Sequence, residues 1–338
     1  MTTALLRPGV YSDVEGSGVL YRPWGRAVGI AAPGLGESGR VYAILWERDA
    51  RQIFGEESLL PALCRLALQN GAGVVKAVSA GSGAAEEYQT ALAALEQEEL
   101  AAVVCGGGRE AQLLLKQSVE RASGDRRERL GVAACEEEDR SAWAAALRGE
   151  RMVLLGQRPA DEEAAPLPAA LLAAAAAGRV AGMTDLAAPL NGVPLLGIAG
   201  LADALSEEDV DGYLRMGVTP LEKRAGAVEL IRVVTGVREG DGFQEVNLTL
   251  VTDFVLKTVR TALQDSLAGA KNTLRTREAV ATQAAVALEE QRAAGLLASY
   301  SLPRVSADPE DPGVCRLSLE FAVQRGLNQI VIAARLLV

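Results

Sequence analysis

Residues 205–267, LSEEDVDGYLRMGVTPLEKRAGAVELIRVVTGVREGDGFQEVNLTLVTDFVLKTVRTALQDSL, change hydrophobic period several times, with a turn signal at each joint. Ser206 is placed to cap a helix whose positive end carries Glu207, Glu208 and Asp209, and Gly217 supplies a left-handed stop just past Arg215 and Met216. Residues 218–221 then read as extended up to a charged turn at 222–226, and 227–235 as a β-branched strand, so the two form a hairpin. A third extended piece is expected over 243–251, where Val246, Leu248 and Leu250 alternate with Glu245, Asn247 and Thr249. Thr252 caps the next element. From Asp253 the period becomes helical, with Val255, Val259, Ala262, Leu256 and Leu263 on one side and Asp253, Lys257, Arg260 and Gln264 on the other.

Outside this stretch the composition bounds the rest. A chain of 338 residues that is 49% hydrophobic buries a sizeable core in two domains or one large one. The net charge of -10 argues against nucleic acid or an anionic membrane as a primary partner, because both require clustered Lys and Arg. Cys64, Cys105, Cys135 and Cys315 lie far apart without a Cys-x-x-Cys pair, which points to buried free thiols in a reducing compartment. The first residues lack the pattern of a signal peptide, and the longest apolar run, 169–177, is about half a membrane span, so a soluble cytoplasmic product is expected. The chain has no histidine, which removes the commonest general base, nucleophile activator and zinc ligand.

Residues 1–25 carry few helix signals and read as an extended arm, in which Val10, Val14 and Leu20 are separated by polar and small residues. From 40 to 156 strands and helices alternate: extended 41–46, helix 59–70, strand 73–80, helix 84–97, strand 100–105, helix 109–122, strand 130–134, helix 139–147, strand 151–155. This α/β rhythm implies a mostly parallel sheet flanked by helices in the first half. Gly106, Gly107 and Gly108 lie between a strand and a helix, where phosphates often bind. No Gly-x-Gly-x-x-Gly or Gly-Lys-Ser/Thr accompanies them, so a structural turn is the better reading. The acidic run Glu136, Glu137, Glu138 and Asp139 reads as a solvated helix start rather than a metal site.

An acidic, Pro-containing joint at 162–168 leads into an alanine helix over 169–177, with Gly178 as its stop and the expected domain boundary. Past 267, a connector at 268–275 precedes a long helix at 277–294, capped by Thr276 and stopped by Gly295. Residues 305–313 read as a loop, and 314–321 as a strand with Cys315, Leu317, Leu319 and Phe321 on its buried side. The final run 328–338 is apolar at nearly every position and needs a strand partner.

The order helix, hairpin, third strand, helix resembles the C-terminal domain of contractile-tail sheath proteins of phages and phage-derived bacteriocins. Leu205, Ser206, Asp209, Gly217, Val218, Thr219, Gly226, Val228, Ile231, Arg232, Val234, Thr235 and Gly236 carry the match, with Gly269 and Asn272 beyond, and Arg7, Pro8, Gly9, Val10 and Tyr11 at the other end. The resemblance implies four parts: an arm at 1–25, an α/β domain at 26–178, a mixed-sheet sheath core at 179–326 and a β arm at 327–338. Val10, Tyr11, Val14, Leu20, Ile330, Ile332, Leu336 and Val338 would enter neighbouring subunits, with a hinge near Gly326 and Leu327. Lys257, Arg260, Arg275 and Arg277 are candidates to face a tail tube. The family variably carries an insertion in its first half; here that region is compact, so protruding extra domains are not expected. The resemblance further implies a non-enzymatic structural subunit without cofactor that polymerises helically in the bacterial cytoplasm around the tube and contracts. Its partners would be copies of itself, the tube protein, and baseplate and tail terminator proteins, with no nucleic acid and no membrane insertion. The alternative is a doubly wound α/β enzyme or nucleotide-binding protein, which rests on fold analogy alone.

Overall fold

The computed structural model describes residues 27–237, 244–267 and 270–328. Its first half is built on β1 (Ala27–Ala32), β2 (Tyr42–Ile44), α1 (Glu47–Phe54), α2 (Leu59–Gln69), β3 (Val74–Ser79), α3 (Ala85–Glu96), β4 (Ala102–Cys105), α4 (Arg109–Gly124), β5 (Leu130–Ala134), α5 (Arg140–Leu147) and β6 (Met152–Leu155). The strands form one sheet in the order β2-β3-β1-β4-β5-β6, parallel throughout except for the short antiparallel edge strand β2.

The central strand β1 is the element that the sequence pattern conceals. Its six residues, AVGIAA, are all buried, yet four are alanine or glycine and lack the bulk that marks a strand. The small side chains serve the packing. A Cβ on Gly29 would sit 2.7 Å from Leu100 Cδ1, so glycine is what admits Leu95 and Leu100 against this face. Alternate β1 residues feed two separate cores: Val28, Ile30 and Ala32 join the side covered by α2 and an alanine-rich helix, and Ala27 and Ala31 join the side covered by α3, α4 and α5.

Arg129 fastens the second face. Only 2% exposed, it enters β5 and donates to the carbonyls of Leu95 (2.7 Å), Glu96 (3.3 Å), Glu98 (2.7 Å) and Arg127 (3.0 Å), filling the end of α3 with a guanidinium. Burial pushes this guanidinium down to about 10.

After the short strand β7 (Pro159–Ala160) comes α6 (Ala170–Gly182). Gly178 does not stop it. The helix runs a further turn because Gly178 and Gly182 are where it crosses α2 at backbone distance. A Cβ on Gly178 would lie 2.9 Å from Asn70 Cβ and inside contact distance of the Ala67 carbonyl oxygen, and one on Gly182 would lie 3.0 Å from Gly71 Cα. A glycine that elsewhere ends a helix is used here for close approach. Gly178→Ala is therefore expected to lower stability by about 1–3 kcal/mol through overpacking, seen as a lower urea midpoint at unchanged slope.

The second half opens with β8 (Val193–Pro194), β9 (Gly200–Leu201) and α7 (Glu207–Met216). Helix α7 has the expected capping box: Asp209 N donates to Ser206 Oγ at 3.2 Å and Ser206 N to Asp209 Oδ2 at 3.0 Å, while Gly217 ends it at φ 77°. The hairpin comes next as β10 (Leu221–Arg224) and β11 (Ala227–Leu230), to which β8 adds a third strand. Its turn is only Ala225 and Gly226, both at positive φ (50° and 87°), so Glu222, Lys223 and Arg224 are strand residues rather than the turn itself. Regular pairing ends at Leu230, short of the expected strand to 235. Beyond it a single bridge sets Thr235 against Val153, and before the hairpin another sets Thr219 against Leu155, so both flanks of the hairpin lie along the outer edge of β6.

The third strand expected at 243–251 is instead the start of a helix, α8 (Val246–Leu267). Among the described residues the alternation misleads because the polar partners are buried too. Asn247 Nδ2 donates to the Leu186 carbonyl at 3.0 Å and also to that of Ala188, and Thr249 Oγ1 donates to the Glu150 carbonyl at 3.2 Å. Val246, Leu250, Phe254 and Val255 then share the helical spacing that faces the core. Thr252 is thus mid-helix and caps nothing. Helix α9 (Leu274–Ala293) begins a turn earlier than expected, on Thr273, whose Oγ1 accepts from Thr276 N at 3.2 Å, and Gly295 comes after it at φ 79°. Four short strands come next among the described residues: β12 (Leu297–Tyr300), β13 (Arg304–Ala307), β14 (Cys315–Ser318) and β15 (Phe321–Val323). Among the described residues no helix is long and apolar enough to cross a membrane.

Candidate assembly surface

Strands β12 to β15 make one long two-stranded ribbon. Tyr300 pairs with Phe321 and Leu297 with Val323 at its base, Arg304 pairs with Ser318 and Ala307 with Cys315 toward its tip, and Ser301 N donates to the Glu320 carbonyl between them at 2.9 Å. Among the described residues neither ladder has a third strand, so each outer edge presents unpaired backbone N–H and C=O groups. The expected strand at 314–321 is present in two pieces, and its inward residues Leu317, Leu319, Phe321 and Val323 pack half-buried on the main core. Beside β15 runs a groove of about 520 Å³ lined by Leu248, Thr252, Leu319, Phe321, Val323 and Arg325.

The ribbon is held in place by α9 and by its own loop. Tyr300 Oη donates to Glu289 Oε2 at 3.0 Å, and Arg292 grips the same carboxylate at 2.6 and 2.8 Å. The Arg292 hydrogen bonds, followed by that from Tyr300, push Glu289 down to about 2. At the tip, Asp308 accepts from Glu310 N at 2.8 Å and Asp311 N at 3.2 Å and pairs with Arg316, contacts that hold its carboxyl below the ordinary range. Asn272 Nδ2 donates to the carbonyls of Pro312 (2.7 Å) and Val314 (3.1 Å), and its Oδ1 accepts from Arg277 at 3.0 Å.

Arg277, expected as a tube-facing charge, thus supports the asparagine that steadies the ribbon loop. Lys257 and Arg260 lie with Asp253 on one stripe of α8 and are engaged within the chain. Lys257 pairs with Glu99, Arg260 Nη2 with Glu128 at 2.5 Å, and Asp253 receives both Arg151 nitrogens at 2.5 and 2.7 Å. Those partners sit at the starts of β4, β5 and β6, so the stripe seats α8 on the amino ends of the parallel strands. Arg275 is exposed and forms no ion pair among the described residues. The candidate arm residues Val10, Tyr11, Val14, Leu20, Ile330, Ile332, Leu336 and Val338 lie outside the described residues. Gly326, expected as a hinge, is pressed against Pro189: a Cβ there would lie 2.7 Å from Pro189 Cδ.

In the glycine turn after β4, Gly106 and Gly107 are close-packed, whereas Gly108 faces open space. A Cβ on Gly106 would fall 2.5 Å from Ala32 Cβ, and one on Gly107 2.6 Å from Ala111 Cβ. The acidic run also acts locally: Glu136 Oε1 accepts from Ala169 N at 2.8 Å, and Asp139 caps α5 by accepting from Ala142 N at 2.9 Å. Cys64, Cys105 and Cys135 are buried as expected, whereas Cys315 is exposed on β14. What sequence reasoning missed is the ribbon's other strand pair, β12 and β13. Val305 and Tyr300 are the only β-favouring side chains there, and the one available signal was the period-two pattern of the opposite strand, which requires a partner.

No protein-family model matches the sequence, and no curated protein does. Solved structures match over almost the whole chain. The helical sheath of the anti-feeding prophage in its contracted state aligns with a TM-score of 0.76 at 16% identity, covering 99% of each chain. The contracted PVC sheath complex of an extracellular contractile injection system aligns at 0.71 and 16%, over 99% of this chain and 98% of that one. A sheath tail protein from Desulfitobacterium hafniense aligns at 0.72 and 11%, over 93% and 100%. The parallel sheet, the α7 to α9 unit and the ribbon together constitute the fold of the sheath subunits of contractile tails and injection systems.

Proposed function

We propose that this chain is the repeating structural subunit of a contractile sheath. The observation that carries the reading is the ribbon: a pair of short strands on an anchored helix, with both edges unpaired among the described residues, in a chain whose fold matches contracted sheaths over nearly its full length. A strand from a neighbouring copy added to each edge would satisfy the free backbone groups and join the subunits into a helical polymer. The apolar ends, residues 1–25 and 329–338, are the source of those strands in this reading. The body between them moves as one piece when the polymer shortens, the free energy coming from new contacts between copies rather than from a nucleotide. The reading assigns no catalytic role and no cofactor. It places assembly in the bacterial cytoplasm around a tube, with Arg275 as the charge best placed for that tube. In this reading the division expected at Gly178 belongs after Gly182, at the end of α6.

The test uses a natural reporter. Cys315 is exposed on the ribbon, whereas burial pushes the Cys64 and Cys105 thiols up to about 12 and leaves them inert. Purified protein is expected to form long hollow tubes by negative-stain microscopy, and Cys315 to react with a maleimide at least tenfold more slowly in tubes than in dispersed subunits. A chain lacking residues 329–338 should keep its circular dichroism spectrum and stay dispersed. Small discrete oligomers with an equally reactive Cys315 would overturn the reading.

A further inference from the structure

The last described residues of the chain are fastened with unusual care for a segment that has left its final strand. Gln324 N donates to the Leu296 carbonyl at 2.9 Å, closing the ribbon. Two residues on, Gly326 lies against Pro189, and Leu327 beside it is 72% exposed. Asn328 is then held from both sides: its Oδ1 accepts from Asn191 Nδ2 at 2.8 Å, and its Nδ2 donates to Glu245 Oε1 at 2.7 Å. Glu245 is itself fixed, because Arg232 Nη2 donates to the same oxygen at 2.9 Å and its backbone bridges Val234.

Three pieces of chain far apart in sequence therefore meet at one exposed asparagine: the loop before β8, the joint between β11 and α8, and the exit from the ribbon. The contacts that join them are polar and lie at the surface. Ordering exposed backbone and side chains opposes folding, and terminal segments normally fray. The consequence of the meeting is that residue 328 is tied to two separate parts of the body, just after Gly326 is stopped by Pro189.

We propose that Asn191, Glu245 and Asn328 form a clamp that sets the direction in which the chain leaves the body, and so fixes the angle at which one copy engages the next. The clamp rests on the sheath reading and deepens it: Asn328 is a positioning residue for assembly, and the contacts at Gly326 and Asn328 oppose a pivot at Gly326 and Leu327. The geometry also dictates a chemical rescue. Asn328→Asp sets a carboxylate against Glu245 and removes the donor. Adding Glu245→Gln removes the like charge facing the new carboxylate, but the single oxygen that met both Asn328 and Arg232 cannot become donor to one and stay acceptor to the other, so the rescue is partial.

The test compares full-length wild type with Asn328→Asp, Asn328→Asp/Glu245→Gln and Asn191→Ala, monitoring fold by circular dichroism and assembly by pelleting and electron microscopy. Wild type is expected to give tubes of one diameter. The Asn328→Asp chain should stay folded but lose at least tenfold in pelletable tubes or give tubes of mixed diameter, the double variant should recover part of the loss, and Asn191→Ala should fall between. Wild-type tubes matched in yield and diameter by Asn328→Asp and Asn191→Ala would overturn the clamp while leaving the sheath reading intact, as would a defect that Glu245→Gln does not relieve. Absence of tubes from wild type would sink the sheath reading, and the clamp with it.

Discussion

Arg129→Met is expected to lower the folding free energy by about 3–5 kcal/mol, because hydrogen bonds to a charged group contribute about 1.5–3 kcal/mol each and buried carbonyls left without donors lose more. The methionine fills much of the volume, so the effect isolates the guanidinium rather than a cavity. The residue is 2% exposed and takes four carbonyls around the end of α3, so no water can replace it without opening that corner. Urea unfolding followed by circular dichroism is the measurement. A midpoint shift worth less than about 1 kcal/mol, on the same extrapolation, would mean that the carbonyls find other donors. Arg129→Lys should recover less than half of the loss, since an ammonium cannot span carbonyls that the planar fork reaches.

Asp253→Ala is expected to destabilise by less, about 1.5–3 kcal/mol, through a different mechanism: removing the buried carboxylate leaves the partly buried Arg151 guanidinium without its charged hydrogen-bond partner. Asp253 is 2% exposed, and burial holds its carboxyl above the ordinary range despite the Arg151 fork. The discriminating variant is the double substitution Asp253→Leu/Arg151→Met, which removes both charges. It should recover most of the stability lost by Asp253→Ala, because apolar side chains of similar size can replace a buried ion pair at little loss. If the double variant is as unstable as the sum of the single ones, packing at this joint rather than the charge pair is what matters. The neighbouring pairs Lys257 with Glu99 and Arg260 with Glu128 are more exposed, and their single substitutions should each change stability by less than about 1 kcal/mol.

The legibility of this chain tracks the size of its side chains. Strands β3 to β6 and the helices between them are readable to within a residue or two at most boundaries, because each is a continuous apolar run punctuated by Gly, Pro or a cap. Strand β1, the centre of the sheet, is hidden because close helix packing selects Ala and Gly there, residues that carry no strand signal. The same economy of volume disguises Gly178, which reads as a stop and acts as a crossing point. The opening turns of α8 mislead for the opposite reason: Asn247 and Thr249 look like the solvent side of a strand, yet each is buried with a carbonyl to bond. The ribbon is legible on one side only. Its proposed role depends on edges that lack a partner, and an unmade bond leaves no mark in the order of residues. The fold was therefore open to inference from residue patterns, whereas the joints that orient it were not: Asn272 on the Pro312 and Val314 carbonyls, Asn328 on Glu245 and α8 on the strand starts each unite residues remote in sequence.

The lateral margins of the parallel sheet bear on crowding. One is the three-residue strand β2, too short to template a long partner, and the other, β6, lies under the chain around Thr219 and Thr235. A freshly made subunit at high cellular concentration thus offers strangers little to zip onto along its widest layer. In the proposed sheath, recruitment is directed to the ribbon outside that layer, so growth of an ordered filament and avoidance of amorphous clumping become properties of separate parts of one molecule.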